Sequence, residues 1–322
     1  MRVAVFGTGG VGGYFGARLA VAGVDVAFIA RGAHLAAIRA NGLRVQSVMG
    51  DALVHPARAS DSPADVGPVD VVLLCVKTWQ VADAANAVRP MLGPDTFVVP
   101  LQNGVETPAL LSNLLGETRV VGGLCGILSF VAGPGHIRHL GGSTFIKFGE
   151  LDNRRSQRVE QLHAAFEQAG VKVDVPVDIH VALWEKFTFV VPIGGVGSVT
   201  RSPIGVMRSV PETRALLERC VEEIALVARA RGIALRDDVV PRTMAAIDAI
   251  TPDGTSSLQR DIAAGRRSEL DAWTGAVVRL GAEAGVATPA HAFLYAALLP
   301  TELRARGDFD HRLMDGQSRD RG

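Results

Sequence analysis

The sequence predicts an α/β domain built on a doubly wound, mostly parallel sheet, followed by a mostly α-helical domain. Three observations carry this. The glycine-rich turn Gly7 to Gly12 (G-T-G-G-V-G) joins the apolar run Val3–Phe6 to a helical pattern over Tyr14–Ala22. Strand and helix signals then alternate as far as Val175, the pattern of parallel strands joined by crossover helices. From Ile179 onward the periodicity is almost entirely helical.

In order, strands are expected at Val3–Phe6, Asp25–Ala30, Val69–Val76, Thr96–Leu101, Val120–Leu128, Thr144–Phe148 and Val171–Val175. Helical patterns fall between them at Ala33–Ala40, Gln80–Met91, Thr107–Leu114 and Ser156–Ala169. Gly42–Ala59 reads as a small hairpin turning at Met49-Gly50-Asp51, and Gly133-Pro134-Gly135 as a turn between antiparallel strands. Further helices are expected at Ile179–Val191, Glu212–Arg231, Val239–Ile250 and Arg266–Glu283. After the Thr288-Pro289 breaker a last helix runs through Leu299. A chain of 322 residues exceeds the roughly 250–300 at which single cores stop growing. The boundary is placed near Pro176–Asp178, giving domains at 1–177 and 178–306 and a polar, flexible tail at 307–322.

The glycine turn has a physical logic. Gly7 allows the tight turn, Gly9 lets a pyrophosphate approach the backbone, and Gly12 lets helix and strand pack closely. Gly7, Thr8, Gly9, Gly10, Val11 and Gly12 therefore form the candidate dinucleotide site of a Rossmann domain, with phosphates held at the helix N-terminus. At the end of the second strand, an NAD-binding protein places an acid on the ribose 2′-hydroxyl. Here Arg31 stands there, and no acid occurs from Val26 to Arg44. A guanidinium binds a 2′-phosphate that a carboxylate would repel. The expected cofactor is NADP.

Bulk properties narrow the function. Lys plus Arg (33) balance Asp plus Glu (33), so no global field draws the chain to nucleic acid or an anionic membrane. A small-molecule partner is expected. Cys75, Cys125 and Cys220 are scattered and form no C-x-x-C, which fits reduced thiols and offers no zinc site. No charged-then-apolar leader opens the sequence, and Val120–Ala132 and Phe187–Val199 are interrupted by Gly or Pro. Both fall short of the ~18 unbroken apolar residues of a membrane span. A cytoplasmic protein is expected.

Five polar residues stand in distinctive contexts. Lys77 follows a strand in V-K-T-W-Q, and Asn103 follows the next in L-Q-N-G-V; both lie at the carboxyl edge where ligands of such sheets bind. Lys186 occurs in L-W-E-K-F-T-F. It either snorkels from a buried helix to water or, partly desolvated and with a lowered pKa, serves as a proton donor. Ser257 (T-S-S-L-Q-R-D-I) and Glu269 (R-R-S-E-L-D) are about three helical turns apart. They line one face if the stretch is a single helix, which Gly265 argues against. Taken alone, Glu269 reads as an exposed helix acid.

Together with the N-terminal motif and A-R-G, these segments in this order resemble the ketopantoate reductase (2-dehydropantoate 2-reductase) family, from Met1 to about Leu299. The resemblance implies NADPH-dependent reduction of a 2-oxo acid to the 2-hydroxy acid. It makes Lys186 the general acid and Lys77 a cofactor-side residue, with Asn103 contacting nicotinamide ribose and substrate. Ser257 would bind the substrate carboxylate, and Glu269 would contact cofactor and substrate hydroxyls and support the lysine. The resemblance is incomplete at two substrate positions. Family members active on ketopantoate carry asparagine four and eight residues after the lysine, where this chain has Val190 and Gly194. These offer a substrate hydroxyl no side-chain partner, so a more apolar 2-oxo acid is an alternative substrate. A non-catalytic NADP-binding sensor is the alternative of another class. A β-hydroxyacid dehydrogenase is disfavoured, because its serine–glycine segment and G-x-G-x-M-G are missing. A homodimer is left open.

Overall fold

The computed structural model describes residues 1–308. They form two compact units that divide at Leu183/Trp184. The first holds ten strands: β1 (Arg2–Phe6), β2 (Asp25–Ile29), β3 (Leu43–Ser47), β4 (Ala52–Val54), β5 (Arg58–Ser60), β6 (Val69–Leu74), β7 (Leu92–Pro100), β8 (Val121–Gly133), β9 (His136–Glu150) and β10 (Val173–Asp174). Its helices are α1 (Gly10–Val21), α2 (Gly32–Asn41), α3 (Pro63–Val66), α4 (Val81–Ala87), α5 (Thr107–Leu115) and α6 (Gln157–Gln168).

Five strands make a parallel sheet in the order β5-β2-β1-β6-β7. Side chains alternate across it. Val3, Val5 and Phe28 join a core with Phe15, Phe148 and Phe166 on one face. Ala4, Phe6 and Ile29 join Val81, Ala85, Val88 and Leu111 on the other. Both faces are covered, which is why the buried positions of β1, β2 and β6 are apolar on both sides. The wide carboxyl edge of this sheet is where the chain switches direction across β1, between β2 and β6, the crevice where dinucleotides lie.

The late strands depart from a single parallel sheet. β8 pairs antiparallel with β9, while β10, β9, β3 and β4 form a second, mixed sheet. The expected hairpin at Met49–Asp51 is the β3–β4 turn, but β5 leaves it to join the parallel sheet. The reason lies in the short Gly133-Pro134-Gly135 connection, which can only return the chain antiparallel; a parallel neighbour needs a crossover of a dozen residues or more.

The second unit is helical. Helix α7 (Ile179–Thr200) contains the unit boundary, and α8 (Ile204–Ser209), α9 (Pro211–Ala230), α10 (Val239–Asp248), α11 (Ser257–Ala263), α12 (Ala276–Glu283) and α13 (Pro289–Arg306) follow. A π-helical turn, Asp271–Gly275, leads into α12. Ile193, Val196, Met207, Val221, Ile247 and Leu294 meet in its core. Expected to end at Val191, α7 continues through Pro192 to Thr200, because residues 191–198 are buried and packing outweighs the local proline signal. By length and composition α7 is apolar enough to cross a membrane, but two-thirds of its apolar window is buried in the protein. Of the expected tail, Gly307 caps α13 in the left-handed conformation and Asp308 N–H donates to Leu303 O at 3.0 Å. Residues 309–322 lie outside the described residues.

Candidate active site

The turn after β1 has the shape its glycines imply. Gly7 takes φ 101°, and the N–H groups of Gly7 and Thr8 donate to Ile29 O at 3.3 and 3.1 Å, with Thr8 Oγ1 donating to the same carbonyl at 2.9 Å. A Cβ on Gly12 would collide with Gly7 O and stand 2.7 Å from Val5 Cγ1, so helix and strand touch there. Gly9 is the opposite case: a Cβ there would meet nothing within 4 Å. Gly9 is the N-cap of α1, with no side-chain cap and no acid in the first turn. The first N–H groups of α1, from Gly10, Val11 and Gly12, have no intrahelical partner. An anion fits this arrangement.

Arg31 follows β2 as the exposed N-cap of α2. Sequence reasoning missed the residue that holds this helix to the glycine turn. His34 accepts from Gly135 N–H at Nδ1 (3.0 Å), so its proton is on Nε2, which lies 2.8 Å from Thr8 O. One neutral imidazole thus ties α2, the β8–β9 turn and the glycine turn together.

Lys77 and Asn103 both lie just beyond adjacent parallel strands, where Leu74 of β6 is paired with Pro100 of β7. Both are half-buried. Lys77 N–H donates to Gln80 Oε1 at 3.3 Å, and its ammonium lies 5.8 Å from the Trp79 ring centroid. Gln102, also missed, donates from Nε2 to Leu74 O at 2.8 Å and Val76 O at 2.9 Å. It fixes the strand ends on either side of the expected site. A buried amide beside a candidate ligand residue was the available signal.

In the second unit, Lys186 and Val190 are half-buried on α7, and Gly194 is buried two turns beyond the lysine. Positions i, i+4 and i+8 follow one stripe of a helix. A Cβ on Gly194 would stand 2.9 Å from Cε3 and Cζ3 of Trp273 and 3.1 Å from Leu258 Cδ2. The stripe therefore ends on a filled space, with no open pocket wall at Gly194. The same contact brings together α7, the first turn of α11 where Ser257 begins the helix, and the segment carrying Glu269.

Two expectations about that segment are corrected. The helix expected over Arg266–Glu283 begins only with the π-turn Asp271–Gly275 that leads into α12 at Ala276. Ser257 and Glu269 lie in separate elements, as Gly265 suggested, because α11 ends at Ala263 and Gly265 turns left-handed at φ 64°. Glu269 is not an exposed helix acid: it is only 7% exposed, and its carbonyl accepts from Trp273 N–H at 3.0 Å as the π-turn begins. Trp273, one turn beyond Glu269, escaped the sequence reading. A glycine inside an apolar helix, marking close approach by a bulky group, was the signal for it.

A parallel nucleotide-type sheet with an open glycine turn, joined to a helical unit bearing a half-buried lysine, defines a nicotinamide-dependent oxidoreductase. Residues 3–153 match the family described as Ketopantoate reductase PanE/ApbA, and residues 178–302 match its C-terminal domain. A 2-dehydropantoate 2-reductase of Mesorhizobium japonicum is 32% identical, the alignment covering 90% of this chain and 94% of the relative. The crystal structure of a PanE/ApbA family ketopantoate reductase from Ralstonia eutropha superposes with a TM-score of 0.87 at 35% identity, covering 95% of this chain and all of that one. A 2-dehydropantoate 2-reductase from Geobacter metallireducens gives 0.88 at 31% identity, covering 93% and 99%. This chain belongs to the ketopantoate reductase family, and a nicotinamide dinucleotide is its cofactor.

Proposed function

We propose that the protein reduces a 2-oxo acid to the 2-hydroxy acid with NADPH, and that its preferred substrate carries a more apolar tail than ketopantoate. In this reading residues 1–177 hold the cofactor and 178–306 carry the chemistry, in the cytoplasm, without nucleic acid or membrane partners. The observation that carries it is the stripe of α7, where a half-buried lysine is followed by half-buried Val190 and then by Gly194 closed off by Trp273.

The pyrophosphate would rest on the N–H groups of the Gly9–Gly12 turn, where the absent Cβ of Gly9 leaves room for it. Arg31 would take the 2′-phosphate through charge-assisted hydrogen bonds, Lys77 would lie beside the cofactor, and Asn103 would contact the nicotinamide ribose. When bound, the nicotinamide supplies hydride to the C2 carbonyl. Lys186 donates the proton that the developing alkoxide needs. Ser257 hydrogen-bonds the substrate carboxylate, and Asn103 and Glu269 orient the substrate. Val190 offers a C4 hydroxyl no partner, and the position beyond it is occupied by indole.

The test is NADPH oxidation over a panel of 2-oxo acids that includes ketopantoate and both aliphatic and aromatic tails lacking the C4 hydroxyl. The highest kcat/KM is expected without the hydroxyl. Losing one or two hydrogen bonds of ~1 kcal/mol each should raise the KM for ketopantoate about five- to thirtyfold over a well-matched substrate. A low-micromolar KM for ketopantoate would overturn the substrate preference. NADPH binding without turnover of any 2-oxo acid would favour the sensor reading.

A further inference from the structure

We infer that Glu302 is a positioning residue that, with Arg306, holds the backbone carrying Glu269 from helix α13; this rests on the role proposed above for Glu269. The Glu302 side chain is 1% exposed. Its Oε2 accepts from Ser268 N–H at 3.0 Å and also from Ser268 Oγ, while Oε1 accepts from Arg306 Nε at 2.6 Å. Ser268 Oγ in turn accepts from Leu270 N–H at 3.3 Å. On the far side of Glu269, Asp271 pairs with Arg306 at 2.6 Å and accepts from Tyr295 OH at 2.7 Å. Tyr295, Glu302 and Arg306 lie seven and four residues apart, one stripe of α13.

Residues 268, 270 and 271 are thus each bound into one ionic network, and Glu269 is the residue between them. The segment has little regular structure of its own, since α11 has ended and only a π-turn follows. Turns of this kind are frequent at functional sites. A carboxylate this buried is costly to desolvate, and an apolar side chain would fill the same space more cheaply. What the carboxylate adds is one oxygen, Oε2, that accepts from both the N–H and the hydroxyl of Ser268, held in direction by Arg306 on Oε1.

The experiment is a double-mutant cycle in the full-length enzyme, using the best 2-oxo acid from the panel and NADPH. Glu302→Leu should lower kcat roughly tenfold or more, as a misplaced catalytic group does, with the Kd for NADPH within about twofold and far-ultraviolet circular dichroism unchanged. Glu302→Gln, which keeps an acceptor for Ser268, should recover most of that loss. Glu269→Gln should be the more damaging single change, and adding Glu302→Leu to it should cost nothing further, because the effects of coupled residues do not add. Additive losses, or a folded Glu302→Leu enzyme with kcat within twofold of wild type, overturn the proposal while leaving the role of Glu269 intact. A fully active Glu269→Gln enzyme removes that role, and the positioning proposal with it. Should Glu302→Leu fail to fold, Ser268→Ala goes through the same cycle with a smaller expected loss, about three- to tenfold, judged by the same criterion of non-additivity.

Discussion

Gly194 of α7 lies directly against the indole of Trp273: a Cβ on the glycine would be 2.9 Å from two ring carbons. The absence of a side chain at residue 194 and the bulk of residue 273 are one feature of the packing. Gly194→Asn should therefore not restore recognition of a hydroxylated substrate. It should destabilise the protein by about 1–3 kcal/mol, the usual cost of overpacking, seen as a lower Tm. Gly194→Asn combined with Trp273→Leu should regain part of that loss. A single Gly194→Asn variant with wild-type Tm would show that the indole moves aside readily.

Gly9 and Gly12 should respond differently to the same methyl group. Gly9→Ala meets open space at an ordinary φ of −84°, so Tm should hold while the Kd for NADPH rises. Gly12→Ala drives a Cβ into Gly7 O and Val5, so Tm should fall as well. Thermal melts and cofactor titrations of the two variants separate the roles.

Replacing Arg31 with Asp should weaken NADPH binding by several kcal/mol, about two charge-assisted contacts plus new repulsion, while affecting NADH far less. Calorimetry with both cofactors checks this. Equal wild-type affinity for NADPH and NADH would remove Arg31 from the 2′-phosphate.

Lys186→Ala should lower the rate by roughly 10²–10⁴, the range for losing a positioned general acid. NADPH affinity should stay near wild type, since in the proposed mode the glycine turn and Arg31 hold the phosphates. The wild-type rate of reduction should decline at high pH, because only the ammonium form can donate. Retention of most turnover in Lys186→Ala would shift the proton to another source, such as Glu269 or water.

A fifth expectation concerns stability. Burial pushes the Glu150 carboxyl up, but hydrogen bonds from Arg158 and Ser156 outweigh it and hold the group below the usual carboxylate range. Arg158 binds it through two nitrogens, at 2.6 and 2.5 Å. A carboxylate lowered in the folded state contributes stability that is present above its unfolded pKa and is lost as pH falls through the folded one. Arg158→Met should cost about 3 kcal/mol at pH 7, as breaking a buried pair does. The gap in Tm from wild type should narrow below pH 4.5, the ordinary glutamate value. A gap of the same size at pH 7 and pH 3 would argue that packing on Phe97, 5.1 Å from the guanidinium, is the main contribution.

Much of the candidate site was legible because its signals are contiguous. The glycine turn, Arg31 at the end of β2, and Lys77 and Asn103 beyond adjacent strands each depend on a few neighbouring residues and on which end of a strand they follow. Glu269 was legible as a candidate but its burial was not. The break at Gly265 was legible, but helical periodicity over Arg266–Glu283 hid the irregular start of that segment and its π-turn, and the groups that bury it come from α13, some thirty residues later. His34 and Gln102 were missed for the same reason, since each acts by joining backbone groups far away in sequence.

The sequence by itself determined the alternation of strand and helix in the first unit, the glycine turn between β1 and α1 and the helical character of the second unit, because each follows from short-range backbone chemistry and the period of apolar residues. Only the tertiary structure decided that β3 and β10 join β9 in a second, mixed sheet, that α7 runs on through Pro192, and that Trp273 fills the space beside Gly194. Those outcomes depend on which distant segments meet and how tightly, and a hydropathy pattern records that a face will be buried without recording what will cover it.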